Sequence, residues 1–205
     1  MVIIPPRDYV IEMTEPPVDL DAAEQAAARF LTTLGIDLSR EERRATPARM
    51  ARAYAELLET EPFQPTTFSN DEGYSELALA RAIPFRTLCE EHMLPLSGVS
   101  HVGYVPKDRI IGLSELARVV EHFAARPQTQ ERLTTQVAEC VAEVLRPSGV
   151  GVVLAAEHNC LTQRGVRASG TTTVTSAMLG SLRTDHRCRS ELFALADVHT
   201  SQVTT

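Results

Sequence analysis

The chain has 205 residues, with 20 lysines and arginines against 27 acidic residues, for a formal net charge of −7. That length sets one domain, or one plus a small extension, with a core that needs no disulfide staples. No run approaches ~18 consecutive apolar residues, and the acidic balance lacks the basic face that nucleic acid requires, so no membrane and no nucleic acid is expected as a partner.

Residues 1–17 hold Pro5, Pro6, Pro16 and Pro17 with little periodicity, which predicts an extended or mobile arm. They lack a basic start followed by an apolar run, so no secretory signal is expected. Cys89, Cys140, Cys160 and Cys188 are too sparse for a disulfide scaffold, and a reducing cytoplasm is the expected compartment. From Asp19 to Leu34 the apolar positions Ala23, Ala26, Ala27, Phe30, Leu31 and Leu34 recur at helical spacing, with Gly35 as the stop. A second helix is predicted from Pro47 to Leu58, with Thr46 as N-cap and a stripe of Met50, Ala53, Tyr54 and Leu57. Residues 61–75 read as a connection.

After residue 80 the pattern changes. Ile83–Leu88 and Val99–Val105 read as strands, Ser114–Arg126 and Thr129–Arg146 as helices, and Val150–Ala156 and Thr171–Met178 as strands. Glu191–Ala196 adds a short element. Two hairpins flanking a helix pair predict an α+β fold, an antiparallel sheet with two helices on one face. Such a sheet has open edges that need covering or pairing with other subunits. The expected organisation is an arm over 1–17, an N-terminal helical extension over 18–80 and a catalytic domain over 81–205.

The chemistry concentrates in Cys89-Glu90-Glu91-His92 and Glu157-His158-Asn159-Cys160. Each motif follows a predicted strand, so loops from two hairpins can meet. Cys89, His92 and Cys160 would make a zinc set of two thiolates and an imidazole, with a fourth position for water. Spacing alone equally allows buried core cysteines beside unrelated histidines.

The run Thr87–His92 and the run His101-Val102-Gly103-Tyr104-Val105-Pro106-Lys107 resemble GTP cyclohydrolase I. So do Ile111-Gly112-Leu113-Ser114, the run Arg126–Leu133, His158-Asn159-Cys160 with Arg164-Gly165, Thr171–Thr173, and Arg189 with Glu191. The resemblance extends from about Thr46 to Leu192 with its motifs in family order. It implies the tunnelling fold, a ring-shaped homo-oligomer (a decamer) with sites between subunits, and catalytic Zn²⁺ on Cys89, His92 and Cys160. The implied reaction opens the imidazole ring of a guanine-type nucleotide at C8, releases formate and rebuilds GTP into dihydroneopterin triphosphate. His158 matches the histidine that shuttles protons, and Ser114 falls among the catalytic positions. Gln130 and Glu131 match the residues that read the guanine edge. Arg164 matches a phosphate-binding arginine, Arg118 joins it, and Arg49 and Arg52 match basic residues that reach a neighbour's site. Beside these stand plainer readings: a structural histidine at 158, a solvated helix position at Glu131, and a solvated helix face for Arg49 and Arg52.

Two positions depart from the family pattern. Glu91 replaces the first of two histidines, and its reference pKa of about 4.3 against 6.5 for histidine weakens its value as a proton carrier near neutrality. Glu115 stands where a lysine contacts the triphosphate, at a helix start that itself attracts anions. It also reads as a favourable helix-start residue paired with Arg118. These departures raise two alternatives, a paralogue that stops at a ring-opened pyrimidine or takes fewer phosphates, and a catalytically silent binding or regulatory protein. Cys140 is expected in the core, Cys188, His186, His122 and His199 in surface or structural roles, and His101 near the site with no role assigned.

Overall fold

The structure, a computed structural model, describes residues 18–59, 62 and 64–197. The arm expected over 1–17, and His199, lie outside the described residues. The described residues up to 59 form one compact unit and those from 62 onward another. The boundary expected at residues 80 and 81 falls within the sheet unit, because its strands begin before that point.

In the first unit α1 spans Leu20–Thr33, capped by the Asp19 carboxylate accepting from the Ala22 amide at 2.9 Å. Gly35, at φ +80°, follows its end as predicted. After a 3-10 turn at Glu41–Arg43, α2 spans Thr46–Leu58. Thr46, the expected N-cap, is instead the first helical residue, and Ala45 before it makes no side-chain capping bond. The two helices frame an apolar groove that includes Ala27, Phe30, Met50, Ala51 and Tyr54. Only Pro47, Ala51 and Ala27 are buried on these helices, and Phe30 stays 55% exposed. Two helices alone offer too little partner surface to cover both stripes.

In the second unit β1 (Thr67–Ser69) pairs with β4 (Arg109–Ile111) in a small sheet. The main sheet contains β2 (Ala78–Cys89), β3 (Pro95–Val105), β5 (Pro127–Gln128), β6 (Gly149–His158) and β7 (Thr173–Gly180), in the order β5-β2-β3-β6-β7. Every main-sheet pairing is antiparallel except the two-residue β5, which runs parallel to the end of β2. Strands β2, β3 and β6 are longer than expected. β2 gains five residues at its start because a bulge between Ala80 and Ile83, with Ala82 at φ +58°, breaks the alternation that marks a strand in sequence. Thr171 and Thr172 precede β7 rather than entering it.

Helices α3 (Leu113–Ala124) and α4 (Gln130–Leu145) cover one face of the sheet. Their Leu116, Val119, Val120, Leu133 and Val137 pack with Val102, Val152 and Leu154 in one core. Thr129 caps α4 through its hydroxyl. The alternate strand positions face the other way. There Val153 and Met178 meet Leu182 of α6 (Ser181–Thr184) and Leu192 of α7 (His186–Ala196). This second cluster adds to the one-faced arrangement that the pattern predicts. Gly151 makes it possible, since a Cβ there would lie 2.5 Å from Leu192. One further turn, α5 (Asn159–Thr162), follows β6. Among the described residues no helix is long and apolar enough to cross a membrane.

Candidate functional site

Cys89 is the last residue of β2, and the hairpin turn after it is closed by the Cys89 amide on the Leu94 carbonyl at 2.8 Å and the Met93 amide on the Cys89 carbonyl at 2.8 Å. Met93 takes φ +52° to complete it. The turn folds His92 back so that its Nδ1 lies 3.6 Å from Cys89 Sγ. Across the sheet, Leu96 of β3 pairs with His158 at the end of β6, which brings α5 and Cys160 beside the turn. Cys160 Sγ lies 3.9 Å from Cys89 Sγ, and the three donor atoms are all within 4.8 Å of one another. A tetrahedral zinc with Zn–S of about 2.3 Å and Zn–N of about 2.0 Å sets S···S and S···N edges of about 3.8 and 3.5 Å. The donor set therefore fits zinc in kind, and its two edges at Cys89 fit in spacing. Burial first, then the hydrogen bond and charge of Cys89, raises the Cys160 thiol above its ordinary range. A bound cation acts in the opposite sense, because it favours the thiolate.

The two glutamates between the ligands diverge. Glu91 has a side chain 77% exposed, with Oε2 3.7 Å from His92 Nδ1. Glu90 turns to α4, where Arg132 Nη2 meets its Oε2 at 2.8 Å. Arg132 Nε also donates to Gln128 Oε1 at 2.8 Å, and its Nη2 to the Pro127 carbonyl at 2.7 Å. The Glu90 amide donates to the Gln128 carbonyl at 3.1 Å, and the Gln128 amide group in turn donates to the Phe123 carbonyl. The loop bearing Cys89 is thus tied to the start of α4. Sequence reading gave Glu90, Gln128 and Arg132 no role. A buried glutamine beside a helix start carries no signal of its partner along the chain.

His158 lies with Nε2 2.7 Å from Gln130 Oε1. Burial lowers its pKa, and the nearby Glu131 carboxylate opposes that shift. Glu131 is exposed at the N-terminal end of α4, whereas its neighbour Gln130 is 1% exposed, with its amide group turned into the sheet.

Glu115, in the first turn of α3, is 4% exposed. Its Oε1 accepts from Arg118 Nη1 at 3.3 Å and lies 3.5 Å from the exposed Ser114 hydroxyl. Its Oε2 is buried with no hydrogen-bond partner among the described residues. Arg164 is exposed beyond α5, and Arg49 and Arg52 are exposed on α2 in the helical unit. The structure brings together Cys89, His92 and Cys160, with Glu91 beside them, and links His158 to Gln130. Among the described residues, Ser114, Glu115, Arg118 and Arg164 make no hydrogen bond or ion pair with them. Cys140 is buried as expected, and burial pushes its thiol up to about 12. His101 is buried with Nδ1 unpartnered among the described residues, and burial, then the charge of Arg81, lowers its pKa.

A profile of the GTP cyclohydrolase I family matches residues 23–197. The chain is 46% identical over 182 residues to a GTP cyclohydrolase 1 of Streptomyces coelicolor, covering 86% of this chain and 90% of that protein. It is 44% identical over 194 residues to a GTP cyclohydrolase 1 of Mycolicibacterium gilvum, covering 92% and 96%. It is 42% identical over 182 residues to a GTP cyclohydrolase 1 of Caldanaerobacter subterraneus subsp. tengcongensis, covering 87% and 97%.

Proposed function

Because the chain belongs to the GTP cyclohydrolase I family, we propose that it opens the imidazole ring of GTP at C8 with release of formate, using zinc held by Cys89, His92 and Cys160. It is a hydrolase acting on a cyclic amidine, and its family serves pterin biosynthesis. The observation that carries the zinc assignment is the donor triangle of 3.6 and 3.9 Å at the meeting of two hairpins. When bound there, zinc supplies a Lewis acid and lowers the pKa of coordinated water. The protein groups do the rest. His158 takes up and returns protons beside the imidazole ring, which suits a side chain titrating near neutrality. The Glu131 carboxylate accepts from guanine N1–H and the 2-amino group, a donor pair that adenine lacks. Arg164 and Arg118 bind phosphate, together with Arg49 and Arg52 reaching from a neighbouring copy. Ser114 lies at the helix start facing that tail. The open edges of β2 and β7 support a homo-oligomer, a decamer in the form the family resemblance implies, working in the cytoplasm.

Two observations favour altered substrate handling. Glu91 places an exposed carboxylate, rather than an imidazole, 3.7 Å from a metal ligand, which favours accumulation of a ring-opened pyrimidine before the pterin forms. Glu115 both replaces a cation and pairs with Arg118 at 3.3 Å, which favours substrates with fewer phosphates. The test is incubation of the zinc-loaded protein with GTP, GMP, guanosine and guanine, measuring formate and product mass. Formate from GTP together with dihydroneopterin triphosphate supports the leading reading. No formate from any of the four overturns it. A clean conversion of GTP to the pterin excludes the ring-opened end point.

A further inference from the structure

The family resemblance puts Gln130 at the guanine edge, yet its side chain is buried and turned into the sheet. Its Nε2 lies 3.2 Å from the Leu154 carbonyl, 2.9 Å from the Thr173 carbonyl and 3.1 Å from Thr175 Oγ1. Two of these are pure acceptors, so the amide cannot be reversed: reversal would set Oε1 against two carbonyl oxygens. The third obeys the same polarity. Thr134 Oγ1 donates to the Gln130 carbonyl at 2.6 Å, so the hydrogen between Thr134 and Thr175, also 2.6 Å apart, comes from Thr175. The Thr175 hydroxyl then faces Gln130 with a lone pair. With its nitrogen fixed, Gln130 presents Oε1, an acceptor only, to His158 Nε2 at 2.7 Å. A neutral imidazole meets an acceptor at Nε2 only by carrying its proton there.

We propose that Gln130 is a positioning residue that holds neutral His158 in the tautomer protonated at Nε2, so that its proton-accepting nitrogen is Nδ1. This rests on the reading of His158 as the proton carrier, and it leaves recognition of the guanine edge to Glu131. A deeply buried amide with its donors satisfied by the sheet is a fixed reference, and the ring takes its orientation from it. The alternative, a glutamine that only fills space, leaves the tautomer free.

The test is nitrogen-15 NMR of histidine-labelled, zinc-loaded protein, with the His158 resonances identified by their loss in His158→Asn. The expected wild-type spectrum shows Nε2 protonated and Nδ1 bare in the neutral ring. Protonation at Nδ1 overturns the proposal without any variant. Gln130→Met, close in volume, removes the acceptor and should give a mixture of tautomers. In that variant guanosine affinity should stay within about twofold, while turnover falls on the order of 10–100-fold. An unchanged single tautomer in Gln130→Met overturns the proposal. So does a loss of guanosine affinity as large as that of Glu131→Gln, which would make Gln130 a base-reading residue. Undiminished turnover in His158→Ala instead removes the proton-carrier reading, and the wild-type spectrum still decides the tautomer.

Discussion

Glu131 and Gln130 are adjacent on one helix start and live in opposite environments, one exposed and one at 1% exposure. Their residue types alone do not tell which side chain is left to meet a base. Glu131→Gln should weaken guanosine binding by about 2 kcal/mol or more, at least thirtyfold in affinity by titration, because the carboxylate's paired acceptors become one acceptor and one donor. Glu91→His should shift products from a ring-opened pyrimidine toward the pterin, read by product mass. His101 gives a prediction about stability. Its folded pKa lies below the value of 6.5 that it has when unfolded. The unfolded chain therefore binds more protons than the folded one as pH falls through and below 6.5, and the contribution of His101 to stability is lost as pH drops toward the folded pKa. Urea midpoints at pH 7.5 and 5.5 should differ less in His101→Gln than in the wild type. Glu115→Lys should strengthen preference for GTP over GMP more than tenfold, since, with the phosphate tail placed beside Glu115 as proposed, replacing its carboxylate with an ammonium reverses an interaction of about 3 kcal/mol per charge pair before screening.

At the scale of elements, the start of α4 carries Gln130 and Glu131 and is also tied to the loop that bears Cys89. Arg132 binds the Glu90 carboxylate, the Gln128 side chain and the Pro127 carbonyl within 2.7–2.8 Å. Arg132→Met should therefore weaken zinc about 10–100-fold in a competition titration with a chromophoric chelator, in line with other partners that orient ligands from behind. Glu90→Gln should do less, because a neutral amide still accepts from the guanidinium. The helices over 113–124 and 130–145 were legible in the sequence to within two residues, because the apolar period marks both locally and Thr129 caps the second. The grouping of Cys89, His92 and Cys160 was legible through the family resemblance and is seen as three donor atoms lying together, whereas their spacing alone left it open. The early start of β2 was hidden, since the Ala80–Ile83 bulge shifts the alternation. The contact of Gln130 with Thr173 and Thr175, more than 40 residues away, was hidden because hydrogen-bond partners across a sheet leave no periodic trace. The C-terminal cover over Val153 was hidden too, because only Gly103 and Gly151 announce the approach of Leu192.

At the scale of the whole molecule, the sheet leaves the upper part of β2 and the outer side of β7 without strand neighbours among the described residues. Unpaired edges favour addition of further strands, and light scattering should give a particle many times the 22.5 kDa of one chain. The thiolates that would hold zinc are 71 residues apart in sequence, one at the end of β2 and the other in the turn of helix after β6, two strands that are joined through β3. Closing a loop of that size before the sheet exists carries an entropic cost, so a cation held by both thiolates is expected to bind after the strands have paired. On the proposed zinc assignment, loading is then expected late in the life of the chain, unlike a metal that nucleates a small finger. The apolar cluster around Val102, Val152 and Leu154 includes Cys89, with Cys160 packed against it, and the rest of it is built mostly from aliphatic side chains. A chelator should therefore stop turnover while far-ultraviolet circular dichroism stays unchanged, and added zinc should restore activity without a refolding lag. A cell starved of zinc would then hold a reserve of finished, silent protein that recovers as quickly as the metal returns.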